Sequence, residues 1–496
     1  MTENGAIGYR TSGKELLDLN FAVASLRHMS DNDIADKFMR AFYENKLLAM
    51  KWLFFARDVR EGLGERRFFR VVLDRLAVTN TEIVKAVISL IPEYGRFDDM
   101  WCLLDNDKLA DIVGEFVYNQ LHQDWRNMKN NQPISLLAKW MPSINASSIK
   151  TKEYAKKFCK MFNTKEATYR KTLSALRKYL DVVEIKMSAK NWSEINYETV
   201  PSRANLIYKD AFLRNDTERR EEYLNKLANG EAKINSAVLY PHDIVHKYIN
   251  NYGFWDSEVK SYDSAVEALW KALPDIVNGC DNTIVVADGS GSMNCSVGNT
   301  KITALEVANA LAIYFAEHSS GEFKDKYITF SSRPQFVDFS NCNSLHDKLA
   351  VALQHNECSN TNVEAVFDLI LSTAVNNHMS QNDIPKNILI ISDMEFDGCA
   401  KSNSSWDRPN ARLFEEINSK YVDAGYKMPR LVFWNVNSRT GTIPVKENDL
   451  GVALVSGFSV NVVKMVMSGK LDPYECLLET LNTERYKPIE EALKNI

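Results

Sequence analysis

A chain of 496 residues, 45% hydrophobic and 10% aromatic, has material for two or three folded cores and lacks the bias of a disordered or fibrous protein. No run of eighteen apolar residues suits a membrane span, and the opening MTENGAIGYRTSGKELLDLN lacks the apolar stretch of a secretory signal. The eight cysteines never fall at a C-x-x-C spacing, which argues against zinc knuckles and a dense disulfide framework and predicts a reducing, cytoplasmic setting. The net charge of −5 conceals an asymmetry, +3 over residues 1–280 and −8 over the rest. The segment Lys139–Lys190 is richer still in basic residues, a polyanion footprint or a solvated helical surface.

Helical signals dominate up to residue 278. Ser30 opens SDNDIADKFMRAFYENK, where Ile34, Phe38 and Phe42 recur at helical spacing. LLAMKWLFFARDVRE follows, then a break at Gly62 and Gly64, then ERRFFRVVLDRLAV, TEIVKAVISLI, RFDDMWCLL, KLADIVGEFVYNQLHQDW and YRKTLSALRKYLDVVE. Helix after helix with short breaks predicts stacked antiparallel pairs, an all-α HEAT-like solenoid or ring, although no fixed repeat period is visible.

Beyond residue 279 the pattern becomes α/β. TIVVADGS, DKYITFSS, PQFVDFS, NILIISDM, RLVFWNV and VALVSG read as strands, the second and third as a hairpin. ITALEVANALAIYFAEHS, SLHDKLAVALQ, NVEAVFDLILSTAVNNH, ARLFEEINSKYVDAG and VNVVKMVMSG read as helices. Continuous apolar strands between helices predict a mainly parallel, Rossmann-like sheet covered on both faces. The expected division is 1–278, 279–470 and a helical extension 471–496 able to pack on either domain.

Ligands in such sheets bind at the carboxyl ends of strands, and Asp288 and Asp393 each close an apolar strand. In Asp288-Gly289-Ser290-Gly291-Ser292, glycines let alternate side chains converge, and Thr361 stands at a helix start. Oxygen donors of this kind suit a hard dication. Ser290, Ser292 and Thr361 have a second reading as helix caps, and Asp393 as an Asx turn. The order D-x-S-x-S, then Thr, then Asp resembles the metal-ion-dependent adhesion site of von Willebrand factor A domains. That resemblance implies Asp288, Ser290, Ser292, Thr361 and Asp393 as the ligands of Mg²⁺, with Mn²⁺ or Ca²⁺ as alternatives, and an acidic residue of a protein partner as the incoming group.

LLAMKWLFFARDVREGLGERRFFR, LLAKWMPSINASS, YRKTLSALRKYLDVVE and VPSRANLIYKDAFLRND resemble a family that joins a TROVE-like helical module to a von Willebrand A domain. It is related to the Ro ribonucleoprotein autoantigens, whose helical ring binds small noncoding RNAs and the ends of misfolded RNAs. The resemblance implies RNA binding at the level of architecture and carries over no individual contact. Among the residues themselves, Arg170 with Arg177 and Lys171 with Lys178 lie seven apart on a helical face. Arg66, Arg67, Lys139 and Trp140 add charge and a stacking surface, although Trp140 also reads as plain core. His242 and His246 have the i, i+4 spacing of a metalloprotease helix, but Asp243 replaces the glutamate and no third ligand follows, so structural histidines are expected. With no G-x-S-x-G elbow or phosphate loop, no catalysis is expected. The expected function is a noncatalytic ribonucleoprotein-like protein, with no DNA specificity and no membrane role; the alternative is a metal-dependent adaptor that binds no RNA.

Overall fold

The computed structural model describes residues 11–236, 238–251, 257–277, 283–298, 300–356, 362–393, 409–437, 453–457 and 472–496. Two compact units divide the chain, and neither is continuous. One comprises Met1–Asp33, Lys37–Asn45 and Asn235–Leu481; the other comprises Ile34–Asp36, Lys46–Ile234 and Asn482–Ile496. The sequence reading drew boundaries at 278 and 470, whereas in these units the N-terminal segment groups with the α/β part and the C-terminal segment with the helices.

The first unit is α/β. A two-stranded antiparallel ribbon, β1 (Ile249–Asn251) and β2 (Ser257–Val259), precedes a six-stranded sheet. Its strands are β3 (Thr283–Asp288), β4 (Lys326–Phe330), β5 (Phe336–Asp338), β6 (Asn387–Ser392), β7 (Arg430–Asn435) and β8 (Ala453–Ser456), in the order β5-β4-β3-β6-β7-β8. All pair in parallel except β4 with β5, the expected hairpin. The chain runs outward from β3 to β5, then returns to the other flank of β3 at β6. The order therefore reverses between β3 and β6, the place where such sheets leave a crevice at their carboxyl ends.

Both faces of the sheet are covered, which is why β3 and β6 are apolar and buried at every position. On one side Ile284, Val286, Ile388 and Ile390 meet Val366, Phe367 and Ile370 of the helix Val363–Asn376, and Ile417 and Tyr421 of Pro409–Asp423. The helix Ala304–His318, closed by a Thr303–Glu306 capping box, packs on β3 and is buried almost throughout. Its nearly uniform apolarity is that of a helix enclosed on all sides rather than an amphipathic one. The N-terminal helix Glu15–Ala22 belongs to this unit too: Phe21 joins the sheet core and its carbonyl accepts from Asn435 Nδ2 at 3.1 Å.

The second unit is helical. Its helices include Lys46–Arg57, Arg66–Thr79, Thr81–Val87, Asp107–Lys129, Ile149–Met161, Glu166–Tyr179, Ser202–Asn215 and Thr217–Ala228. RFDDMWCLL forms a 3-10 helix, Phe97–Asp105, in place of an α-helix. The extension is divided: the helix Pro473–Leu481 lies in the α/β unit, while Asn482–Ile496 joins the helical one. There Lys51 donates to Glu490 at 2.7 Å, Arg485 to Asp58 at 2.8 Å, and Tyr486 stacks on Tyr94. No helix among the described residues is long and apolar enough to cross a membrane.

Candidate functional site

At the switch point of the sheet, Asp288 ends β3 and Asp393 immediately follows β6, the neighbouring strand. Both carboxylates are buried, at 2% and 1% exposure. Asp288 Oδ1 accepts from the Ser290 amide at 2.9 Å and Oδ2 from the Ser392 hydroxyl at 2.6 Å, which fixes the carboxylate in place. Ser290 occupies the N-cap position of a short 3-10 turn, Gly291–Asn294, yet its side chain makes no cap bond. Its Oγ instead lies 3.1 Å from Ser292 Oγ. Four of the five sequence-predicted ligand residues therefore stand at or just beyond the carboxyl ends of two adjacent strands. Thr361 lies outside the described residues, as does the helix read over VNVVKMVMSG.

The donors fit a hard cation. Two buried carboxylates at one sheet edge are costly to bring together unless hydrogen bonds or a positive charge compensate them. Every candidate ligand atom is an oxygen, the chemistry that Mg²⁺ selects. Ser392 was not foreseen. In I-I-S-D it has no motif of its own, and only the pairing of β6 with β3 brings it to Asp288.

The two histidines have separate neighbours in the fold. His246 Nδ1 lies 3.0 Å from Glu306 Oε2, and His242 is buried and stacked on Tyr240. Among the described residues no group of three or more His, Cys, Asp or Glu is placed to hold a metal.

In the helical unit, the basic residues separate into two kinds. Arg177 is engaged within the fold: it donates to the Ala138 and Met141 carbonyls at 2.8 Å each and to Ser143 Oγ at 3.0 Å. Its guanidinium thereby fastens the 138–143 turn to the helix Glu166–Tyr179, and burial holds it below its ordinary pKa. Helical spacing set Arg170 and Arg177 on one face, but the seventh residue faces the packed side. Arg170, Lys171 and Lys178 are exposed on that helix.

The other kind converges. Arg66 and Arg67 are exposed at the first two positions of the helix Arg66–Thr79, whose first turn carries no acid. Cations at the positive end of a helix dipole are unfavourable unless something compensates them. Burial, followed by the nearby guanidiniums of Arg70 and Arg96, lowers the pKa of Arg66. Arg96 in turn lies 3.9 Å from the ring centroid of Trp140, which is half-buried instead of sealed in a core, and Lys139 Nζ is 5.7 Å from the same ring. Arg96 thus sits on the 139–140 pair and is an electrostatic neighbour of Arg66.

Asp99 holds this cluster from below. Wholly buried, it accepts from Arg57 Nε at 2.8 Å, Arg70 Nε at 2.7 Å and the Arg96 amide at 2.9 Å. Asp98 takes both Arg96 Nε and Nη2, at 2.8 and 2.6 Å. Arg70 and Arg96 were missed in the sequence because they lie far apart along the chain, and only their shared partners Asp98 and Asp99 bring them together.

Two family models match successive parts of the chain. Residues 105–278 match a domain of unknown function (DUF2828), and residues 282–493 match another (DUF7788). The chain is 28% identical over 527 residues to the uncharacterized protein L728 of Acanthamoeba polyphaga mimivirus, covering 98% of this chain and 88% of that protein. Among solved structures, that of the RO (RSR) protein of Deinococcus radiodurans matches at a TM-score of 0.43 and 14% identity, over 92% of this chain and 94% of that one.

Proposed function

We propose that this is a noncatalytic RNA-binding protein. Its helical unit, arranged as a HEAT-like solenoid or ring, holds noncoding, structured or single-ended RNA. The observation that carries the reading is the half-buried Trp140 with Arg96 over its ring and Lys139 beside it, and with Arg66 an electrostatic neighbour of Arg96. Guanidiniums and an ammonium meet phosphates, and an aromatic face with its flanking cations suits an unstacked base. The sequence blocks that resemble TROVE modules support the same reading.

The test is filter binding of labelled RNA by the full chain across a salt series. Arg70 and Arg96 are paired with Asp98 and Asp99, so two phosphate contacts, from Arg66 and Lys139, predict a log–log slope of about −1.4, from roughly 0.7 per contact on single strands. Copurifying, nuclease-sensitive absorbance at 260 nm should accompany it. A clean 280 nm profile with no salt-dependent retention of RNA would favour the alternative, an adaptor whose helical unit binds protein.

A second element of the proposal is a von Willebrand A-type metal site at the sheet edge. Asp288, Ser290, Ser292 and Asp393, together with Thr361, would hold Mg²⁺. When bound, the ion supplies an electrophilic coordination position for an acidic group of a partner. The residues themselves orient the donors: Ser392 and the Ser290 amide fix Asp288, and Ser290 and Ser292 present their hydroxyls side by side. Thermal unfolding of the full chain should shift upward with Mg²⁺ relative to EDTA. At a hundred-fold excess over the dissociation constant the stabilisation is about 2.7 kcal/mol. Asp288→Ala should abolish the shift, and equal melting of both proteins in Mg²⁺ and EDTA would remove the metal.

A further inference from the structure

Beside Lys139, on the side away from Trp140 in the chain, the helical unit has a cavity of about 130 Å³. Leu136, Leu180, Val183, Ile195 and Val200 give it apolar walls, and Lys139, Lys186 and Glu184 also line it. Lys186 is engaged, donating to Asp181 Oδ2 and the Glu194 carbonyl at 2.8 Å each. Lys139 makes no ion pair among the described residues. Glu184 is the unusual member. Its Oε1 receives only a long 3.5 Å bond from Tyr208, and its Oε2 is buried with no hydrogen-bond partner among the described residues.

A buried carboxylate oxygen left unsatisfied costs free energy that an incoming donor recovers. The terminal carboxylate torsion of glutamate is broad, so turning an oxygen toward the cavity is a small adjustment. Apolar walls suit the faces of a flat ring, and a carboxylate among them selects a ring edge that carries N–H donors. Lys139 stands at both this cavity and the Trp140 ring.

We infer that this cavity receives one unpaired base of the bound RNA and that Glu184 reads its Watson–Crick edge, with guanine preferred. The inference rests on the RNA-binding reading. Guanine offers two parallel donors, N1–H and N2–H, to a carboxylate. Cytosine offers its exocyclic amine next to an acceptor, as adenine does, and uracil offers one N–H between two carbonyls that repel the charge. The expected ranking is guanine, then cytosine and adenine, then uracil.

Fluorescence anisotropy of the full chain with labelled U12, (UG)6, (UC)6 and (UA)6, at one salt concentration, tests it. The wild type should bind (UG)6 about ten-fold more tightly than U12, the low end of the discrimination expected from a bidentate edge contact. Glu184→Gln should remove that difference, weakening (UG)6 while U12, relieved of the charge that repels its carbonyls, binds no more weakly than before. Glu184→Asp, which keeps the charge but withdraws it by one methylene, should lose most of the preference at an unchanged melting temperature. Binding of U12 and (UG)6 with equal, salt-dependent affinity would overturn the base pocket alone. So would a preference that survives Glu184→Gln, or one shared equally by (UA)6, which stacking explains. Failure of every oligonucleotide to bind in a salt-dependent way would overturn the RNA reading and the pocket with it.

Discussion

Asp99→Ala is expected to destabilise the helical unit by about 3–5 kcal/mol, the cost of stripping the partner from a buried ion pair. Arg57 is the reason. Its side chain is 3% exposed and it delivers both Nε and Nη2 to Asp99, at 2.8 and 2.7 Å. Alanine leaves that guanidinium buried against a void, and it also releases the Arg96 amide and Arg70 Nε. The surroundings leave little room to adapt: a methyl added at Gly95 would come within 2.6 Å of Asp99 Oδ2 and 3.0 Å of Arg57 Nε. Urea denaturation followed by circular dichroism measures the loss. The double variant Arg57→Met/Asp99→Leu should recover the part due to the stranded Arg57 guanidinium, but not the part due to Arg70 Nε and the Arg96 amide, which still lack their acceptor. A loss below about 1 kcal/mol in Asp99→Ala would mean that Arg57 finds water or another acceptor, contrary to its burial.

The neighbouring carboxylate gives this cluster a pH dependence of known sign. Burial pushes the Asp98 pKa up, but the guanidiniums of Arg96 and Arg70 reverse this and hold it below the usual carboxylate value. A group whose pKa is depressed on folding contributes stability above its unfolded pKa and loses it as pH falls through the folded one. The contribution is therefore complete at neutral pH and disappears only in acid.

Arg66→Glu/Lys139→Glu should weaken RNA binding by about 10- to 100-fold at moderate salt and make the salt slope shallower by about 1.4, the share of two phosphate contacts. Both side chains can be reversed with little effect on folding, since Arg66 is exposed and Lys139 is half-buried without an ion pair among the described residues. Reversal also removes a repulsion, because Arg66 stands near the guanidiniums of Arg70 and Arg96. Stability should thus hold or rise while affinity falls, a combination that misfolding does not produce. Filter binding across the salt series, with melting temperatures in parallel, gives both readouts. An unchanged slope would place the RNA elsewhere, with the exposed Arg170, Lys171 and Lys178 as the next surface to reverse.

Much of this was legible in the residues. TIVVAD and NILIIS are unbroken apolar runs, and a run that is buried on both faces has few alternatives to a central parallel strand, so Asp288 and Asp393 were recognisable as strand-end acids. DKYITFSS and PQFVDFS announced their hairpin through local turn chemistry. Side-chain direction was less legible. Lys171 and Arg177 look alike in YRKTLSALRKYL, but one meets solvent and the other the 138–143 carbonyls, a distinction set by a turn 34 to 39 residues earlier. Composition likewise offered no sign that Trp140 would carry Arg96 on its face.

The sequence by itself determined the elements, because helix and strand periodicities, caps and turns act over a few residues. It also determined the kinds of donor available: oxygens at two strand ends, and cations along the helices. The tertiary structure alone decided which of them meet. Strand pairing brought Ser392 to Asp288, and helix packing brought Arg96 onto Trp140 and near Arg66. The same long-range packing allotted Glu15–Ala22 to the sheet and Asn482–Ile496 to the helices. Burial of apolar surface is indifferent to separation along the chain, so partners hundreds of residues apart leave no local signal of their meeting.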